Sequence, residues 1–431
     1  MPPGRLSVCK LPFLHVFGGA INTKKRQVKR PLKIAILLPA IATIGIRRQA
    51  RNLAIALSET KDPVGDVVEV VIGLPRLEEE IWRRQEQELR GGWKGCVVRH
   101  LGWERVASDL AGRMYPAAVA DVEGVAEVML PRDWGWNFVD CDAWIVMADA
   151  GLGAILPVKP TAYYVRDLAQ RYVPAGYAHG IHDEFWARQT DSFRLWRQSP
   201  CVFTVDSATA TDITSFGGVR RDRIVQIEPQ PIRPSLDAVR SNGGARTLLW
   251  LVEPSASHDI GAALDGLRLF FAEGGDLKVI VAGEGAAAFA QSSAGQLGGV
   301  PMRALSALQH LEVEVVVSDS EVQRLLRRVD MVWSSSVAEG ENEGLARAAQ
   351  AGLPFIGLSY PQNSRFAAQQ GVAATWYSES EPAAIADALA TAAARERPTR
   401  LKASGPAASK SKRSAGHLSV VVERLWSAKV D

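Results

Sequence analysis

The sequence predicts an α/β protein built as two doubly wound parallel-sheet domains that face each other across a cleft. Three observations carry this prediction. Short apolar runs alternate with amphipathic stretches in both halves, the pattern of strands buried on both faces by crossover helices. Residues 229–245 (PQPIRPSLDAVRSNGGA) hold three prolines, a Gly pair and few apolar side chains, and divide the halves. At 431 residues the chain is also long for a single domain.

Taken in order, residues 1–30 form a basic N-terminal arm, and the first domain runs from 31 to 230. Leu32–Leu38 (LKIAILL) is a buried parallel strand, and Ile46–Ser58 the amphipathic helix after it. Val67–Gly73 and Cys96–Leu101 are further strands, with the charged surface helix Glu78–Leu89 between them. Asp140–Met147, Thr161–Val165, Cys201–Val205 and Ile224–Ile227 complete the strands, and Phe185–Gln198 is a helix. A linker follows at 231–245 and the second domain at 246–398, where the same rhythm restarts. Its strands are Thr247–Val252, Leu277–Ala282, Val313–Val317, Met331–Trp333 and Phe355–Leu358. Its helices are Gly261–Glu273, Ser320–Arg328, Leu345–Ala351 and Pro382–Ala394. A polar basic linker (399–416) leads to a C-terminal helix within 417–431, with Val420, Val421, Leu425 and Trp426 on its apolar face.

Composition narrows the function classes. A net charge of +3, much of it at the two ends, is too small to argue for nucleic acid. The four cysteines (Cys9, Cys96, Cys141, Cys201) are far apart with no C-x-x-C, which disfavours a zinc site or a disulfide framework. This usage fits a reducing, cytoplasmic compartment. No apolar run approaches the roughly 20 residues that span a bilayer. Leu11–Ile21 is a weak match to a secretory h-region, and the KKRQVKR that follows it fits poorly. Residues 1–30 carry seven Lys/Arg and no Asp/Glu. They read as a disordered arm, with peripheral contact to anionic lipid at the inner face of the plasma membrane as the alternative.

The most informative stretch is 329–354. A mostly apolar strand leads through Ser334–Ser336 into an acidic, Gly-broken loop from Glu339 to Gly344. A run of helix formers then ends at Gly352-Leu353-Pro354. Such a loop lies at the carboxyl end of a parallel strand, where open α/β sheets bind ligands. Other candidates are weaker. Gly283-Glu284-Gly285 lacks a third glycine for a dinucleotide fingerprint. Asp133-Trp134-Gly135-Trp136-Asn137 offers either a sugar-stacking platform or ordinary packing. His179 and His182 have metal-like spacing without a further anchored ligand. Ser207 has no nucleophile elbow.

The second half resembles the family-4 (group 1) glycosyltransferases of bacterial surface-polysaccharide synthesis, which have the two-domain GT-B fold. The resemblance rests on Glu339-Gly340 followed by RAAQAGLPFI (347–356), on DSEVQRLLRRVDMVWSSS (319–336), on DLKVIVAGEG (276–285) and on LSYPQNSRFAAQQGV (358–372). In the first half it rests on AYYVRDLAQRYVP (162–174), CVFTVDSATATDI (201–213) and GIRRQARNLAIAL (45–57). It covers about residues 32 to 395.

The resemblance implies a metal-independent sugar transferase without a resident cofactor, in which protein cations and N–H dipoles stabilise a departing nucleotide diphosphate. The donor is a nucleotide sugar, GDP-mannose or a deoxyhexose nucleotide, and the acceptor a lipid-linked or growing polysaccharide. It implies catalytic roles for Glu339, Asp167 and Arg166. Donor contacts fall to Glu253, His258, Gly283, Gly285, Gly340, Asn342, Glu343, Gly344, Arg347, Tyr360, Gln362 and Asn363. Acceptor contacts fall to Gly45, Arg47 and Arg48. The sequence departs from the family at four positions. Glu253 and His258 stand where an Arg/Lys pair is usual, Arg347 where a second Glu is usual, and Arg166 where a His precedes Asp167. Two readings follow: Arg347, Arg166 and His258 supply the missing positive charge from new directions, or the chain is a non-catalytic homologue that binds nucleotide or glycan as an assembly partner.

Overall fold

The computed structural model describes residues 30–40, 42–91, 95–120, 124–148, 153–172, 184–204, 206–227, 246–253, 259–286, 296–297, 300–301, 311–316, 318–337, 342–395 and 412–430. The arm (1–29), the interdomain linker, most of the basic linker, His179, His182, His258, Glu339 and Gly340 lie outside these residues.

In the first domain β1 (Lys33–Leu37) is followed by α1 (Ile44–Ser58), β2 (Glu69–Pro75), α2 (Glu79–Arg90) and β3 (Val97–Leu101). Then come β4 (Trp103–Ala107), α3 (Ser108–Met114), α4 (Pro116–Ala120), β5 (Glu127–Pro131), β6 (Ala143–Ala148) and β7 (Thr161–Val165). The domain ends with α5 (Glu184–Gln198), β8 (Cys201–Thr204), α6 (Ser207–Ser215) and β9 (Ile224–Gln226). Its sheet is seven-stranded in the order β3-β2-β1-β6-β7-β8-β9, and every pair is parallel.

The second domain holds β10 (Arg246–Leu251), α7 (Ile260–Ala272), β11 (Leu277–Gly283), β12 (Gln296–Leu297), β13 (Val300–Pro301), β14 (Leu311–Val315) and α8 (Asp319–Leu326). After these come β15 (Met331–Ser334), α9 (Glu343–Ala351), β16 (Phe355–Leu358), α10 (Pro361–Gln370), β17 (Ala374–Tyr377) and α11 (Pro382–Ala394). Its sheet has six parallel strands in the order β14-β11-β10-β15-β16-β17. The predicted pair of doubly wound parallel sheets is therefore the architecture.

Burial explains why the strands read as continuous apolar runs. Neighbouring residues of β1 enter opposite cores: Ile34 and Ile36 on one face, Ala35 and Leu37 on the other. β10 divides in the same way, Leu248 and Trp250 from Leu249 and Leu251. Trp250 and Trp333, from adjacent strands, stack with centroids 4.6 Å apart. Trp250 Nε1 donates to Ser335 Oγ at 3.0 Å, which satisfies one polar atom of a buried indole and pins the start of the loop after β15.

Three features were not anticipated. β4 and β5 pair antiparallel outside the main sheet, with the short α3 and α4 between them; five-residue strands with mixed faces leave little periodic signal. α10 and β17 complete the second sheet. The terminal helix, α12 (Lys412–Val430), begins inside the segment expected to be linker. α12 buries Leu418, Val421, Val422 and Leu425 in a core of the first domain, and Lys429 Nζ lies 2.9 Å from the Asp142 carboxylate.

In the Asp133–Asn137 turn, Trp134 packs against the other core with φ of +57° and Gly135 at +84°. Trp136 stays 70% exposed.

Removing the buried Leu425 side chain should therefore lower stability by about 2–5 kcal/mol. Trp136→Ala should stay within about 0.5 kcal/mol, since that side chain leaves no cavity. Urea unfolding of the two variants against the wild type checks both values.

Candidate functional site

Each sheet has one point where the strand order turns back, between β1 and β6 in the first and between β10 and β15 in the second. Loops diverge from the carboxyl ends of strands there and leave a crevice. The segments following β1, β10 and β15 lead to Gly45, Glu253 and the Asn342–Glu343 pair, and these meet. A Cβ on Gly45 would lie 2.9 Å from Glu343 Oε2 and 3.5 Å from Glu253 Oε1. Glycine is thus what lets the first turn of α1 touch the second domain.

Local sequence builds each part. Thr43 caps α1, its Oγ1 accepting from the Ile46 N–H at 3.4 Å. Ile44 is buried in a core of the second domain and staples the helix start across the cleft. Asn342 caps α9 through Oδ1, 3.0 Å from the Leu345 N–H, and Gly352 ends that helix in the left-handed region. Gly283 (φ +120°) and Gly285 allow the end of β11 to press on Val252: a Cβ at Gly283 would sit 2.3 Å from the Val252 carbonyl oxygen. That turn brings Glu284 to the domain interface.

The cationic candidates are engaged. Arg47 is fully buried; Nε lies 3.0 Å from Glu88 Oε2 and Nη1 2.9 Å from Glu284 Oε1, and Nη1 also donates to the Ala42 carbonyl. Arg48 Nη2 is 2.9 Å from Glu343 Oε2. Arg347 is fully buried too; Nε donates to Glu343 Oε1 at 2.6 Å, Nη1 to Gln350 Oε1 at 3.1 Å, and Nη2 is ion-paired with Asp319. Two expectations are corrected here. Arg347 offers no surface to a diphosphate, and Arg47 none to an acceptor, because both guanidiniums are enclosed by the chain's own carboxylates. Arg166 and Asp167 follow β7 and are half-buried, and the charge of Arg166 reaches Glu343.

Proton affinities record the balance. Burial alone would push the Glu343 carboxyl up, but Arg347, Arg48 and Arg166 together hold it below the usual range. Burial raises Glu88 and Glu284 more strongly than Arg47 lowers them.

A second group lies at the carboxyl ends of β15 and β16. Ser336 Oγ, Asn342 Nδ2 and Asn363 Oδ1 are buried and find no hydrogen-bond partner among the described residues. Tyr360 and Pro361 open α10 without a side-chain cap. Tyr172 of the first domain meets Tyr360 edge-on with centroids 4.9 Å apart.

Glu88, Glu284 and Asp319 escaped the sequence reading. Glu284 lay inside the noted Gly-Glu-Gly turn, whereas nothing local marks Glu88 among the charges of a surface helix. The intrahelical Glu343–Arg347 pair does carry a signal, its i, i+4 spacing.

No family model matches the chain, and none of the curated proteins matches it. Solved structures do share its fold. HepE of Anabaena, in complex with UDP and glucose, superposes with a TM-score of 0.54 at 11% identity, over 93% of this chain and 97% of that one. WaaG, a glycosyltransferase involved in lipopolysaccharide biosynthesis, gives 0.52 at 11% identity over 92% and 95%. Sucrose-phosphate synthase from Thermosynechococcus elongatus gives 0.52 at 10% identity over 93% and 94%. The architecture is the GT-B arrangement of two Rossmann-like domains, and its structural neighbours include glycosyltransferases.

Arg47→Ala should destabilise the protein by about 3–5 kcal/mol, because two buried carboxylates lose their counter-ion. Glu343 has a lowered folded-state pKa, so its stabilisation is present above the unfolded carboxylate pKa and lost as pH falls through the folded value. Glu343→Gln should therefore flatten the acid limb of the stability–pH curve, measured by urea unfolding at stepped pH.

Proposed function

We propose that the protein is a glycosyltransferase that uses a nucleotide-sugar donor and a lipid-linked or polysaccharide acceptor in cell-surface glycan synthesis. The observation that carries the reading is the set of buried polar atoms on Ser336, Asn342 and Asn363 that find no partner among the described residues, at strand ends beside the uncapped start of α10. A buried polar atom without a partner costs about 1–3 kcal/mol, so a polar ligand that reaches any of them gains by satisfying it. The α10 start receives the donor phosphates through N–H groups, and Tyr360, Gln362 and Asn363 line that end. The resemblance assigns Glu253, His258, Gly283, Gly285, Gly340, Glu343 and Gly344 to the donor as well. Glu339 backs the transferred sugar, and Arg166 and Asp167 approach from the first domain as charge partner and base. The acceptor enters beside Gly45 and Arg48. Protein cations and dipoles take the place of a metal. GDP-mannose or a deoxyhexose nucleotide is the donor class, and the site of action is the cytoplasmic side of the membrane, where the basic arm gives peripheral contact.

A second reading, a non-catalytic homologue that binds nucleotide or glycan, is favoured by one observation. Glu253 and Glu343 crowd Gly45, and Arg47, Arg48 and Arg347 already hold carboxylates.

Calorimetry and sugar-release assays across UDP-, GDP- and dTDP-sugars separate the two. The enzyme reading expects one donor to bind and turn over, Asn363→Ala to weaken it about tenfold, and Glu339→Gln to abolish turnover while binding persists. Binding without turnover by any donor supports the homologue, and no binding at all removes the enzyme.

A further inference from the structure

We infer that the cleft carries an intramolecular anion latch: the Glu343 carboxylate, delivered by the second domain, sits against the first turn of α1 and ties α9 to Arg48 across the cleft until a diphosphate-class anion displaces it.

The contacts place the Glu343 carboxylate against Gly45 and Arg48 at the start of α1. The start of a 15-residue helix presents partial positive charge, and α1 has no acidic side chain of its own in that turn. Gly45 leaves the helix backbone bare, and Glu343 Oε2 stands where a Cβ would be only 2.9 Å away. The same oxygen takes Arg48 Nη2 at 2.9 Å, while Oε1 is fixed from behind by Arg347 Nε at 2.6 Å. One carboxylate thus joins a cation of each domain. Flanking contacts repeat the device: Arg47 spans to Glu284 at 2.9 Å, and Glu88 Oε1 accepts the Asp319 N–H at 3.1 Å at the start of α8. Ile44 inserts into the second domain's core beside them.

An anion that enters the cleft meets carboxylates already seated on these groups. It can pair with Arg48 and the helix start only when Glu343 withdraws. The displacing anion is the donor diphosphate, which meets Arg48 on its way to the start of α10; that identity rests on the proposed nucleotide-sugar reading, and the latch itself rests on the contacts alone. Gly45→Ala is the informative variant, because it adds a methyl group against the carboxylate and changes no charge.

Amide hydrogen exchange of the full chain tests the latch, on wild type, Gly45→Ala and Arg48→Ala, and on wild type with millimolar inorganic diphosphate. The expected result is exchange faster by about tenfold or more in Ile44–Arg48 and Asn342–Arg347, with β6 and β16 still protected. Diphosphate should do the same to the wild type. Unchanged exchange in those segments in both variants and with diphosphate overturns the latch. Should a variant lose protection through both sheets, the diphosphate arm on the wild type decides alone: local deprotection supports the latch and none overturns it. Failure of the nucleotide-sugar reading shows separately, as a blank donor panel alongside variants that still open.

Discussion

Charge buried between two domains must be paired, and most of the site's arrangement follows from that constraint. Arg47 and Arg347 are among the largest fully buried side chains of the protein. A guanidinium cannot shed its proton, so enclosure is tolerable only with carboxylates around it. Glu88 and Glu284 serve Arg47; Glu343 and Asp319 serve Arg347. Three of these partners come from the second domain and one from the first. Taken with Arg48, the pairs bind the start of α1 to the ends of β11 and β15. The domains meet through electrostatics that would be costly to expose singly and are inexpensive only as a set.

The backbone makes that set possible. The start of α1 reaches the second domain because residue 45 is glycine, and Glu284 reaches Arg47 because Gly283 adopts a φ of +120° against Val252. Asn342 caps α9 with Oδ1 and so aims Glu343 from the first helical position, while its own Nδ2 is left without a partner among the described residues. One short loop therefore contributes both to the closed interface and to the unsatisfied polar surface. The two roles are physically linked, since any ligand drawn to Asn342 arrives next to the Glu343 carboxylate.

The fold was legible because both periodicities are strong. β16 is apolar throughout and β1 and β10 are apolar beyond their first residues, and α7 and α11 carry apolar faces that pack in one core. The antiparallel pair β4–β5 was illegible for the opposite reason: the consecutive exposed Glu104 and Arg105 fall on opposite faces of β4 and break the alternation. At the candidate site, the reading of Arg347 and Arg47 as ligand cations gives way to their pairing with the chain's own carboxylates. Reading Arg347 as a substitute phosphate cation treated position in a motif as orientation in space. The Glu four residues before it makes an intrahelical pair the simpler expectation, and the second carboxylate, Asp319, comes from α8 just upstream in sequence. Glu88 is a different case. Its partners, Arg47 and the Asp319 amide, are distant in sequence, and no local pattern separates it from the solvated Glu79 and Glu80 on the same helix.

Sign and number at the cleft argue for how it must work. Arg47, Arg48, Arg166 and Arg347 face Glu88, Glu253, Glu284, Glu343 and Asp319, so carboxylates match or exceed cations before any ligand arrives. That excess agrees with the direction of Glu88 and Glu284, whose carboxyls burial drives up despite the adjacent Arg47. A diphosphate that entered with every carboxylate in place would bring like charges together in a region of low dielectric, where repulsion is least screened. On the proposed nucleotide-sugar reading, binding is therefore an exchange, in which one carboxylate leaves for solvent as the anion takes its cation. Glu343 is the group placed to do so. It is held at one oxygen by Arg48, whose side chain is partly exposed, and at the other by an arginine of its own helix that stays paired with Asp319 when Glu343 departs.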